Sequence, residues 1–198
     1  MTLQMTPMVA KIVWVLMAVG WYALRIPHVR RSRKTPVAAD GMDGTERLRL
    51  AVSLTGLGLI PFVYVLTGEP TFARRLFHPE LAWAGVAVAI AALAMFRLTH
   101  KALGRNWSVS LQMRQDHKLV TEGVYARIRH PMYTAFWLWA IAQALLLPNW
   151  IAGLSGLVGF GTLYLLRVGP EEEMMIDRFG EDYRAYMART GRLLPKWF

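Results

Sequence analysis

The sequence predicts an all-α, polytopic membrane protein of about five transmembrane helices, ending in a helical hairpin and a cytoplasmic C-terminal amphipathic helix. Two long stretches carry that prediction. Leu50–Gly68 and Met132–Leu166 contain no Asp, Glu, Lys or Arg, whereas a helix on a soluble core shows polar residues at every turn of its outer face. The third observation is where the cations fall. The chain has 198 residues, is 55% hydrophobic and carries a net charge of +10. Of its 23 Lys and Arg, 7 lie in residues 25–49, 7 in 97–129 and 6 in 167–196. The positive-inside rule reads those three segments as cytoplasmic, with anionic headgroups as their counter-surface. The charge therefore follows from orientation, and no nucleic-acid partner is expected.

Taken in order, the first apolar run spans about Met8–Ile26 and is followed by the basic cluster Arg25–Lys34. A cleaved signal peptide has the opposite order, so this reads as an uncleaved first span with its N-terminus outside. Residues 35–47 read as a loop, because Pro36, Gly41 and Gly44 interrupt any helix. The second span is about Leu48–Thr67, with Gly56, Gly58 and Pro61 tolerated as they are in lipid. A short external link leads to a third, Ala-rich span at about Leu81–Phe96.

After the polar connector 97–131 come two apolar arms, 132–147 and 150–166, separated only by Pro148-Asn149. So short a turn implies antiparallel neighbours. Arms of 16 and 17 residues sit at or just under spanning length, so a short or tilted hairpin is equally compatible. Gly153, Gly156 and Gly159 recur at helix-face spacing, a pattern of close packing in lipid. The tail reads as a new helix starting at Pro170, with Glu171–Glu173 in its first turn and Met174, Met175, Phe179, Tyr183 and Tyr186 on one face. The division is 1–103 for the first three spans with their basic loop and 104–198 for connector, hairpin and tail, in one integrated membrane domain.

Several chemistries are excluded. Without cysteine there is neither a disulfide nor a thiolate metal site. No phosphate-cradling lysine loop, dinucleotide glycine fingerprint or HExxH helix occurs. His117 and His130 are thirteen residues apart without carboxylates at ligand spacing, so no metal is expected. What remains is a concentration of polar residues at one membrane face: His117, Tyr125, Arg127, Arg129, His130 and Tyr133, then Arg167 and Glu171–Glu173. An antiparallel hairpin brings the two sets together. Lipid is a poor place for such groups unless they pair or serve a site. A plainer reading explains them too: Arg129 and Arg167 as snorkelling anchors, and Arg167 with Glu171 as an i,i+4 pair.

The strings HKLVTEGVYARIRHPMY (117–133) and EEEMMIDRFGEDYRAYMARTGRLLP (171–195) resemble the isoprenylcysteine carboxyl methyltransferase family. These are small membrane methyltransferases that use S-adenosyl-L-methionine, and the resemblance runs over roughly 104–198. It implies a cofactor site lined by His117, Lys118, Leu119 and Val120, by Tyr125, by His130-Pro131-Met132-Tyr133, by Gln112 and by Glu171. It implies that Arg167, with Arg129, serves the reacting end of the substrate. It also implies methyl transfer to a lipophilic acceptor reached through the bilayer, first of all a prenylcysteine-like carboxylate. A phospholipid amine, a small thiol, or hydride transfer of the membrane sterol reductase type are the alternatives. One departure is Ala135, where the family often has glycine, which bears on pocket shape.

The residue types suit those roles. Tyr125 and Tyr133 offer ring faces to a cation, Glu171 can accept from an ammonium or a hydroxyl, and Arg167 can orient a carboxylate with its planar fork. A carboxylate nucleophile is ionised at neutral pH and needs no base. An amine or thiol would need one, with His130 or Glu172 as candidates.

Overall fold

The computed structural model describes residues 4–32, 39–40, 43–104, 112–113 and 119–196. Helix α1 runs Pro7–Ser32. Helix α2 (Gly44–Leu54) continues through a π-helical turn, Thr55–Leu59, into α3 (Ile60–Thr67). Helix α4 is Pro79–Leu103, α5 Pro131–Leu146, α6 Trp150–Phe179 and α7 Glu181–Arg189. A two-residue antiparallel pair joins β1 (Ala39–Asp40) to β2 (Gln112–Met113). The protein is an integral membrane protein of all-α architecture. Its outward positions, such as Leu16, Leu59, Leu66, Ile90, Val158 and Leu165, leave large apolar side chains exposed, as a lipid-facing surface requires.

Among the described residues, four helical stretches are long and apolar enough to cross a membrane: Pro7–Val29, Gly44–Thr67, Pro79–Leu103 and Trp150–Phe179. The expected fifth, α5, has 16 residues, about 24 Å at 1.5 Å per residue against a core of about 30 Å. Its apolar character has another cause. Helix α5 is sandwiched between α4 and α6, and Ala135, Ala140, Ala142 and Leu146 are fully buried. It is hydrophobic because protein surrounds it.

Two further expectations are corrected. Residues 44–47 are helical rather than loop, since Asp43 caps α2 by accepting the Glu46 N–H at 2.6 Å. Pro170 does not start a helix; it lies inside α6, which runs on to Phe179. Proline there removes the donor that the Leu166 carbonyl would receive, a defect that membrane helices tolerate. The tail helix breaks instead at Gly180, whose φ of +54° is left-handed backbone that glycine adopts without strain.

The turn between α5 and α6 is fixed at one end of the bundle. Asn149 caps α6 by accepting from Ala152 N–H at 2.9 Å, and its amide donates to the Pro70 carbonyl at 2.8 Å. Arg75 donates to the Ala144 carbonyl and, at 3.4 Å, to that of Leu147, so it covers the end of α5. Helix α6 then meets α2 backbone to backbone. A Cβ on Gly159 would lie 2.7 Å from the Val52 carbonyl, and one on Gly56 would collide with the Ser155 carbonyl. The π turn presents the Gly56 carbonyl, which accepts from Gln143 Nε2 at 3.1 Å and Ser155 Oγ at 2.8 Å.

Gly56→Ala is expected to lower the stability of the detergent-solubilised protein by about 1–3 kcal/mol, the usual cost of overpacking. Gly58→Ala, where a Cβ meets nothing within 4 Å, should leave it nearly unchanged. Thermal unfolding of the two variants side by side checks this.

Candidate active site

The opposite end of the bundle holds the polar residues. After α4 and β2 the described chain resumes at Leu119 and makes a 3-10 turn, Gly123–Ala126, then zips onto the tail. Arg129 N–H donates to the Gly191 carbonyl at 2.9 Å, His130 N–H to Arg192 at 3.0 Å, and Gly191 N–H to Arg127 at 3.0 Å. Thr134 Oγ1 donates to the Leu193 carbonyl at 2.7 Å. This ladder places His130 immediately before α5 and presses α7 against the connector, where the Tyr186 hydroxyl donates to the Tyr125 carbonyl at 2.7 Å.

The hairpin then delivers α6 alongside. Glu172, 4% exposed, accepts from Arg129 Nε at 2.7 Å, from His130 Nε2 at 3.0 Å and from both Nε and Nη2 of Arg192. Its neighbour Glu171 accepts from the Tyr133 hydroxyl and lies 3.8 Å from Arg167 Nε. Arg167 also pairs with Glu46 across the α2–α6 interface, Nη1 to Oε1 at 3.1 Å. The His130 and Tyr133 rings stack at 5.3 Å between centroids, and Tyr133 meets Phe160 and Tyr164 edge-on.

Several of these groups border a cavity of about 300 Å³, at the low end of the ~300–1,000 Å³ usual for small-molecule pockets. Its polar wall includes Tyr125, Arg129, His130, Tyr133, Arg167 and Glu171. Leu119, Val120 and Met132 also face it, and Met175, Tyr183 and Tyr186 close it from the tail. Its apolar side comes from Trp21, Leu50, Leu54, Leu57, Phe136 and Leu163. Burial pushes the phenols outside the membrane-spanning helices upward: Tyr125 well above the ordinary value, with the Glu171 charge adding to it, and Tyr186 up to about 12. Both remain protonated donors at neutral pH. Arg192 is held above its ordinary range by its hydrogen bonds to Glu172.

Most of the residues singled out in sequence therefore meet at one cavity. Pro131 opens α5. The Gln112 backbone pairs with Asp40, and His117 and Lys118 lie outside the described residues. Ala135 is fully buried in the helical core and is not part of the cavity wall. One residue escaped notice, and one takes a different part from that expected. Glu46 falls in the segment expected to be loop, although the Asp43-x-x-Glu46 spacing is a capping-box signal. Glu172, rather than Glu171, takes Arg129 and His130. Among the described residues no group of three or more His, Asp or Glu could hold a metal.

The fold and the site define a class: a helical membrane protein with a cavity that is charged on one side and apolar on the other. A model of the Isoprenylcysteine carboxyl methyltransferase (ICMT) family matches residues 83–177, so just under half of the chain is similar to this family. A protein-S-isoprenylcysteine O-methyltransferase from Rattus norvegicus is 32% identical over 89% of this chain and 64% of its own length. One from Schizosaccharomyces pombe is 32% identical over 44% of this chain and 37% of its own. The chain thus spans less than two thirds of either relative. A solved structure described as the eukaryotic intramembrane Ras methyltransferase ICMT shares the fold, with a TM-score of 0.54 at 22% identity over 80% of this chain and 54% of that one.

Glu172→Ala would strand the Arg129 guanidinium and remove the acceptor shared by His130 and Arg192. It is expected to destabilise the protein by about 3–5 kcal/mol, as removal of one partner from a buried ion pair does. The measurement is unfolding in detergent, with the exposed Arg184–Glu181 pair as a control whose loss should cost under about 1 kcal/mol.

Proposed function

We propose that this protein transfers a methyl group from S-adenosyl-L-methionine to the carboxylate of a lipophilic, prenylcysteine-like acceptor, at a site facing the cytoplasm. The observation that carries this reading is Arg167. It is a buried guanidinium at the cavity wall, flanked by Glu46 and Glu171, whose Nε–H has no aligned acceptor among the described residues. A buried donor of that kind suits an anionic oxygen.

The residues present fit the cofactor. Glu171 is placed to accept from an ammonium or a ribose hydroxyl, and the rings of Tyr125 and Tyr133 can face a cation. Leu119, Val120, His130 and Met132 complete that side, and Gln112, His117, Lys118 and Pro131 join it by family resemblance. When bound, the cofactor supplies an electrophilic methyl group on a sulfonium. The protein's part is alignment, since methyl transfer is an in-line displacement that gains chiefly from proximity.

The groups already engaged support a carboxylate as the acceptor. Glu172 is saturated by Arg129, His130 and Arg192, and His130 is bound to it. That leaves Glu172 no room to act as the proton acceptor that an amine or thiol would require. A carboxylate needs no base, and its charge is cancelled as the methyl is transferred, so a site poor in water favours the reaction. The apolar wall offers room for a greasy substituent. The distribution of Lys and Arg supports an external N-terminus and a cytoplasmic site.

The test is labelled methyl transfer from S-adenosylmethionine into prenylcysteine peptides and lipid extracts by the purified protein. Binding of reduced nicotinamide cofactor, with none of S-adenosylhomocysteine, would overturn the reading. Glu171→Gln is expected to weaken S-adenosylhomocysteine binding about tenfold or more. Arg167→Ala should leave that affinity within about twofold while lowering kcat/KM for the acceptor about 10- to 100-fold, the worth of a hydrogen bond to a charged group.

A further inference from the structure

We infer that Glu46, on α2 and outside the family segment 83–177, is the positioning residue that aims Arg167 at the acceptor; this rests on the methyl-transfer reading and specifies one residue within it. Arg167 lies on the cavity wall, whereas Glu46 does not. Glu46 is 2% exposed and stands behind the guanidinium, 3.1 Å from Nη1. The rival carboxylate, Glu171, is one turn along the same helix, 3.8 Å from Nε, and already accepts from Tyr133. Left to Glu171 alone, Arg167 would lie along α6 as an ordinary i,i+4 pair. Glu46 draws the other end of the fork across to α2.

The arrangement holds Arg167 by charge without using up its donors. Arg167 Nε and both carboxylate oxygens of Glu46 are buried and lack an aligned hydrogen bond among the described residues. A guanidinium has five N–H donors in a fixed fork. One steadied from two sides and only partly satisfied keeps donors for a third, planar acceptor.

Glu46 also declines its usual local role. With Asp43 at the N-cap and Glu46 three residues on, the capping box would turn the Glu carboxylate back to the Asp43 N–H. The cap is made in one direction only, Glu46 N–H to Asp43 Oδ1 at 2.6 Å, and the carboxylate turns to Arg167. Nor is the pair needed to join the helices. The Gly56–Gly159 backbone approach and the Gln143 and Ser155 bonds to the Gly56 carbonyl already dock α2 on α6.

A double-mutant cycle on the full chain in detergent or nanodiscs decides the matter. Glu46→Gln, close in shape, should lower kcat/KM for a prenylcysteine carboxylate at least tenfold, with S-adenosylhomocysteine affinity within twofold of wild type. Glu46→Asp should recover part of the loss. The Glu46→Gln/Arg167→Ala double variant should be no slower than Arg167→Ala alone, because one residue acts through the other. Multiplying losses, unchanged acceptor kinetics in Glu46→Gln, or a Glu46→Gln protein that unfolds would each make Glu46 a structural pair only and overturn the inference. A wild-type protein that binds no S-adenosylhomocysteine and transfers no methyl overturns the parent reading, and this inference with it.

Discussion

A carboxylate that is 4% exposed at the edge of a bilayer persists only if cations and N–H donors replace the water it has lost. Glu172 meets that condition with donors from two other segments: Arg129 and His130 from the connector, and Arg192 from the tail. Three pieces of chain far apart in sequence are thereby fixed to one another. The backbone ladder between residues 127–130 and 191–192 depends on the same meeting, and the ladder brings Tyr183 and Tyr186 beneath the cavity. The polar wall is therefore a consequence of pairing one buried charge.

Deeper in the bundle the constraint is steric. Gly56 and Gly159 let α2 and α6 touch through backbone atoms, and the π turn at Thr55–Leu59 leaves the Gly56 carbonyl to accept from Gln143 and Ser155. Gln143 is fully buried, so these bonds are made where nothing else can satisfy the groups. Contact at the glycines helps set the distance between Glu46 and Arg167, about two to three turns away along the two helices. Packing in the middle of the membrane thus determines electrostatics at its face.

Much of this was legible in sequence, and the parts that were not each have a physical cause. Pro148-Asn149 between two apolar arms implied an antiparallel hairpin, and that alone placed residues 129–133 beside 167–173. The glycine spacing of 153, 156 and 159 implied close packing. By contrast, α5 looked like a span because hydropathy does not distinguish burial in lipid from burial in protein. Pro170 looked like a helix start because a proline followed by acids usually is one; in α6 the helix to either side carries it through. Glu46 was invisible because Gly41 and Gly44 masked a helix whose cap, Asp43, begins just before it. In the first two cases tertiary surroundings overrode a local signal; at Glu46 one local signal, the glycines, hid another, the cap.

Glu171 and Glu172 show why adjacent acids are not interchangeable at such a site. Successive residues on a helix point about 100° apart, so one carboxylate faces the cavity with Tyr133 and Arg167 while the next faces the tail with Arg192. A dry pocket strengthens every interaction within it, which helps an anion and a cationic methyl donor react and equally punishes any unpaired ion. The structure separates the two demands. Glu172 neutralises the connector and tail cations and keeps them from competing for an incoming anion. Arg167 lies between two carboxylates that hold it without saturating it. For the proposed reaction, the charge that binds the acceptor is thus kept apart from the charges that hold the fold together.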